Sequence, residues 1–132
     1  MKKALTILTG AALALTGATG VNAETRAEKS EAQLARMLEG RTAGEPVQCI
    51  SAYNGNRIRM MEHVGIVYDA GDTIYVARAV DPKILDHWDI PVIERFGSQL
   101  CANDVMRTVD RTAGHMTGPL FLHDFVPYTK NG

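Results

Sequence analysis

Most of the signatures that announce chemistry are missing from this chain. It has no G-x-S-x-G elbow, no C-x-x-C pair, no P-loop and no dinucleotide fingerprint. Ser98 stands in Gly97-Ser98-Gln99, outside any nucleophile elbow. A dominant charge is missing too. The 14 Lys and Arg face 15 Asp and Glu, a balance too even to steer the protein to nucleic acid or an anionic membrane. No uninterrupted apolar run reaches the roughly 20 residues that span a bilayer, so the protein is not expected to cross one. There is one Trp, and there are two cysteines.

What is present begins with the N-terminal MKKALTILTGAALALTGATGVNA. Lys2 and Lys3 form a short basic region, and Ala4 to about Ala14 are mostly apolar. Val21-Asn22-Ala23 places the residues that signal peptidase accepts. Thr6, Thr9, Gly10, Thr16, Gly17 and Gly20 dilute the segment too much for an anchor. A cleaved signal peptide over residues 1–23 is expected, and with it a periplasmic or secreted location. No cysteine lies near the cleavage point for lipid attachment, and no Arg-Arg pair calls for a twin-arginine route. Removing 23 of 132 residues leaves 109, and losing Lys2 and Lys3 turns 14 basic residues into 12 against 15 acidic, a net −3. That length fits one domain with a modest core.

An oxidising compartment gives the cysteines their meaning. Two of them in a small exported domain are most simply paired. Cys49, in PVQCIS, and Cys101, in FGSQLCAND, stand 52 positions apart. Closing such a loop stabilises a fold by about 4 kcal/mol in the chain-entropy model. A nucleophilic thiol needs a basic or helix-N-terminal setting, whereas Cys101 has Leu100 and Ala102 beside it. A zinc site needs more sulfur or histidine at close spacing. A Cys49–Cys101 disulfide is therefore expected.

Residues 25–39, TRAEKSEAQLARMLE, have the period of a helix. Thr25 and Glu28 stand at capping-box spacing, and Gly40 supplies a left-handed stop. Ala27, Leu34 and Met37 or Leu38 make a narrow apolar stripe. Gly40, Gly44 and Pro46 mark a connector, so residues 24–46 divide from a stapled β domain over 47–132. In that domain Val47–Ser51 form a short strand, and the Asn-Gly of YNGN (53–56) favours a tight turn. Val64–Tyr68 and Ile74–Ala77 alternate around DAGD (69–72), which predicts a β-hairpin. DPKILDHWDIP (81–91), bracketed by Pro82 and Pro91, is expected to be a loop with room for one helical turn. VIERFG (92–97) reads as a strand. In 104–112, Val105, Thr108, Val109 and Thr112 favour strand, against a helix that Asn103 or Asp104 would cap. GPLFLHDFVPYTK (118–130) is apolar on both faces and reads as a strand buried on two sides. The expected fold is mainly β (α+β): a small antiparallel sheet or partly closed barrel with one N-terminal amphipathic helix.

The segments LEGRTAGEPVQCI (38–50), GIVYDAGDTIYVAR (65–78), FGSQLCAND (96–104), VDR (109–111) and HDFVPYTK (123–130) together resemble an uncharacterised family of small exported bacterial proteins. They cover most of residues 34–130. The resemblance implies export and a two-cysteine framework, and it brings no activity, substrate, cofactor or catalytic residue.

The remaining candidates are scattered. DHWD (86–89) and HD (123–124) put carboxylates beside two of the four histidines, His87 and His123. His63 and His115 stand alone, and no spacing matches a metal motif, so no metal and no cofactor are expected. Asp69, Asp72, Asp86, Asp89 and Asp124 could supply a carboxylate pair for hydrolysis. Asp69 and Asp72 are better explained by turn chemistry. Arg57 and Arg59, in RIR, suggest a solvated strand edge rather than an anion site. Trp88 is expected to fold back as a lid on the core, the alternative being an exposed anchor in a binding loop of Asp86, His87, Trp88 and Asp89. The functional expectation is a non-enzymatic exported module that binds a protein or envelope component or supports the envelope. The alternatives are a small periplasmic hydrolase using the Asp/His clusters, and an inhibitor whose loop 81–91 plugs a wall-degrading or proteolytic enzyme.

Overall fold

In the computed structural model the described residues are 25–95 and 97–132. The expected signal peptide lies outside them. The helix forms as its caps dictate. α1 runs Arg26–Met37, the Thr25 hydroxyl accepts from the Glu28 backbone, and the Glu28 carboxylate accepts from Thr25 N–H in return. The stop at Gly40 is made with φ 71°. Only Ser30 and Leu34 of α1 are buried, which fits the thin stripe.

Ten strands follow: β1 (Arg41–Ala43), β2 (Cys49–Ser51), β3 (Ile58–Met61), β4 (Gly65–Asp69), β5 (Thr73–Arg78), β6 (Asp89–Glu94), β7 (Gln99–Cys101), β8 (Val105–Asp110), β9 (Met116–Pro119) and β10 (Val126–Lys130). They form three antiparallel sheets, none closed: a five-stranded β1-β10-β5-β4-β3, a two-stranded β2-β7 and a three-stranded β6-β8-β9. Among the described residues the fold is mainly β with one α-helix, as expected, and no sheet closes into a barrel.

The five-stranded sheet is covered on both faces, and strand alternation assigns each residue to a side. On β4, Ile66 and Tyr68 point to the small sheets, while Val67 points to the helix. On β5, Tyr75 and Ala77 take the first side, Ile74 and Val76 the second. The register keeps like with like, pairing Val67 with Val76 and Tyr68 with Tyr75. The turn between them is fixed by Asp69, whose Oδ1 accepts from Gly71 N–H at 2.8 Å. Gly65, at φ 151°, stands where a Cβ would lie 2.1 Å from the Ala77 carbonyl oxygen, so only glycine lets β4 and β5 approach.

The staple ties the two strands of the small β2-β7 sheet to each other. Cys49 and Cys101 are direct partners in the β2–β7 register and are joined by a disulfide, with Ile50 opposite Leu100 beneath it. The disulfide is compatible with an oxidising, exported location. Among the described residues no helix is long and apolar enough to cross a membrane.

Several local expectations are corrected. The connector contributes β1, which pairs with β10 and widens the main sheet. YNGN ends in a 3-10 turn, Gly55–Arg57, with the Asn54 side chain accepting from Asn56 N–H. Arg57 belongs to that turn and only Arg59 to a strand, so the two do not share a strand face. The strand expected from Val92 starts at Asp89, and the loop 81–91 is correspondingly shorter, with a 3-10 turn at Pro82–Ile84. Within 104–112 the favoured strand forms, as β8 over Val105–Asp110, and Asp104 spends its carboxylate on Cys101 N–H rather than capping a helix. The long C-terminal strand is two strands in two sheets. Between them the chain crosses the core, burying Leu120 and Phe125 and making only single bridges at Leu122 and Phe125.

Candidate functional site

The five aspartates considered for chemistry are dispersed. Asp69 and Asp72 sit at the β4–β5 turn, and Asp124 lies with His123 beside Arg78 on another surface. His115 faces Asp110 across the β8–β9 turn, where Asp110 N–H donates to the His115 carbonyl at 3.0 Å. The Asp110 carboxylate accepts from the Thr112 hydroxyl and from the backbone N–H of Ala113 and Thr112, which hold its pKa down at about 2.

One cluster does assemble, around the turn that joins residue 85 to β6. Leu85 is fully buried and anchors it, while Asp89 is buried and its carboxylate is used on both oxygens. Oδ1 accepts from the Thr117 hydroxyl at 2.9 Å and Oδ2 from Asp86 N–H at 3.0 Å. Thr117 reaches it where the β8–β9 register shifts at Thr108/Val109. Asp89 is thus a positioning residue, not a contact residue. Asp86 in turn accepts from Trp88 N–H at 3.2 Å, a tight Asx-type turn that sends His87 and Trp88 outward.

Trp88 is not the lid. It is 47% exposed, and Leu85 fills the core beneath the turn instead. Leu85 takes the inward place, and as an aliphatic side chain it buries no N–H that would need a partner. The indole packs on the His87 ring with centroids 4.4 Å apart and planes at 46°.

His87 stands at the mouth of a cleft of about 250 Å³ between α1 and β3. Ser30, Gln33 and Met37 line one wall, and Arg59 to Glu62 the other. Three groups converge on the Nδ1 of His87. Arg26 Nη1 lies at 2.8 Å, Asp86 Oδ1 at 2.8 Å and Glu62 Oε2 at 3.6 Å. Arg26 is also 3.9 Å from Glu62. Glu62 Oε2 is buried and has no hydrogen-bond partner. Glu62 is presented by the β3–β4 turn, where His63 adopts φ 57° and donates its backbone N–H to the Leu85 carbonyl at 3.3 Å.

Sequence reasoning singled out Asp86, His87, Trp88 and Asp89 as a candidate loop but not Glu62 or Arg26, which the structure sets beside it. No local signal could have found them, because the three segments meet only through the sheet and the helix above it. No family model, curated protein or solved structure matches the chain.

Proposed function

We propose that this is an exported, non-enzymatic binding module of the cell envelope whose recognition surface is the turn Asp86–Asp89 and the adjoining cleft. The observation that carries it is Trp88: the single Trp of the chain, 47% exposed, on a turn whose base is fixed by buried Leu85 and Asp89. A large aromatic with few torsions on a rigid turn is the anchor that protein interfaces favour. The N-terminal signal pattern, the disulfide and the resemblance to small exported proteins support the location. A protein or envelope component is the partner that suits a half-exposed aromatic flanked by Arg26, Asp86 and His87.

The convergence of Asp86 and Glu62 on His87 supports the second reading, a small hydrolase with a carboxylate-oriented base. Against it, His87 makes no hydrogen bond to a hydroxyl among the described residues, although buried Ser30 lines the same cleft.

A photo-crosslinking residue placed at position 88 in cells should give one defined adduct. The same probe at Tyr53 or Phe121, both well exposed elsewhere, should not give it. Equal adducts from all three positions would remove the basis for this surface.

A further inference from the structure

We propose that Glu62, Asp86 and His87 form a binding site for a first-row divalent metal ion, with Arg26 holding the place of the cation. The proposal concerns metal alone and stands whatever docks on Trp88.

His87 Nδ1 carries either a proton or a lone pair. With a lone pair it accepts from Arg26 at 2.8 Å, but the Asp86 carboxylate oxygen then faces that lone pair at 2.8 Å with no proton between them. With a proton it suits the Asp86 carboxylate oxygen at 2.8 Å, but the Arg26 N–H then faces another N–H. One of two close contacts is unfavourable in either tautomer. Glu62 adds a buried oxygen with no donor at hydrogen-bond distance, Arg26 standing 3.9 Å away, an arrangement that costs stability unless a partner is supplied. A divalent cation removes every conflict together. It takes the Nδ1 lone pair and both carboxylates, and it releases the guanidinium.

The donor set and its dimensions fit. The three ligand atoms lie within 4.8 Å of one another. A zinc-like ion bound at about 2.0–2.2 Å asks for donors roughly 3–4 Å apart, so closure needs a shift of about an ångström. Asp86 and Arg26, 55% and 61% exposed at their side chains, have the freedom to make it. One imidazole with two carboxylates suits zinc and its first-row neighbours, without the thiolates that select copper(I). Three protein donors leave a coordination position open toward the cleft, for water or for a partner's donor.

The linear sequence hides this site. Its ligands come from a strand-to-strand turn and an Asx turn 24 positions on, with no motif spacing to betray it.

Trp88 makes the test direct, since the only indole of the chain rests on the His87 ring. Untagged protein is titrated with Co²⁺ while Trp fluorescence is followed, then back-titrated with Zn²⁺. The expected result is saturable quenching at one ion per chain, reversed by zinc. Even outer-shell partners of a metal contribute 10–100-fold, so Glu62→Gln and Asp86→Asn should each weaken it by about tenfold or more. His115→Ala and His123→Ala should leave it unchanged. Arg26→Ala should tighten it, because the competing cation is gone. Circular dichroism confirms that each variant is folded. The absence of quenching, its persistence in both carboxylate variants, its loss in His115→Ala or His123→Ala, or weaker binding in Arg26→Ala would each overturn the proposal.

Discussion

The two faces of the main sheet are covered very differently. On the disulfide side the small sheets, the turn at Leu85 and the crossing segment bring Ile50, Leu85, Leu100, Met106, Leu120 and Phe125 against Ile66, Tyr68 and Ala77. On the helix side a single fully buried side chain, Leu34, meets Met61, Val64, Val67, Ile74 and Val76. Beside Leu34, Arg78 adds a half-exposed, two-pronged ion pair with Glu31 at 2.6 and 3.2 Å. That hydrogen bond raises the pKa of Arg78 above its usual value. The thin cover has a consequence for chemistry. A cleft holding a carboxylate oxygen with no hydrogen-bond partner survives only where packing is incomplete, and the candidate site lies beside the helix for that reason.

The largest test of the contrast is Phe125→Ala. Phe125 is fully buried where the chain crosses the thick core, and its truncation should cost about 3–5 kcal/mol in chemical denaturation. Removing the staple should come next. Cys49→Ala with Cys101→Ala should lower stability by about 4 kcal/mol, and the native protein should show no free thiol before reduction. On the opposite face, Leu34→Ala should cost about 2–3 kcal/mol, at the lower end for a buried leucine, since the thin layer can collapse onto the gap. An effect equal to that of Phe125→Ala would dissolve the distinction between the faces.

Smaller effects sharpen it further. Trp88→Ala should change stability by less than about 1 kcal/mol, because the indole covers no core. Its emission should be red-shifted and open to a soluble quencher. A blue-shifted, protected signal would restore the lid. The smallest effect belongs to Asp110. Its folded-state pKa is depressed to about 2, so its stabilising contribution is present above the ordinary carboxylate range and is lost as pH falls through that value. Carboxyl resonances followed by NMR should show this midpoint, and Thr112→Val should move it back up by removing the hydroxyl donor.

The legibility of the molecule follows the range of its interactions. The helix with its capping box, the β4–β5 hairpin, the Cys49–Cys101 pair and the strand at Val105–Asp110 were readable, because neighbours within a few positions set each of them or, for the cysteines, because there were only two to pair. The span 118–130 was misread as one strand. Its apolar residues signal burial, but periodicity cannot say that Leu120 and Phe125 are buried by crossing between sheets rather than by lying within one. Trp88 and Leu85 show the same limit. Both are large and apolar, and only the turn built on Asp86 and Asp89 decides which of them points inward.

The sequence by itself determined the helix, the hairpin, the pairing of two cysteines and a predominantly antiparallel β fold, since caps, alternation and turn residues act locally. Only the tertiary structure decided that the main sheet has two unequal faces, that Trp88 stands outside, and that Glu62 and Arg26 meet His87. Those outcomes depend on which segments, distant in the chain, are brought to share one surface. Side chains that carry no signal in their own neighbourhoods acquire a common chemistry only when packing sets them a few ångströms apart.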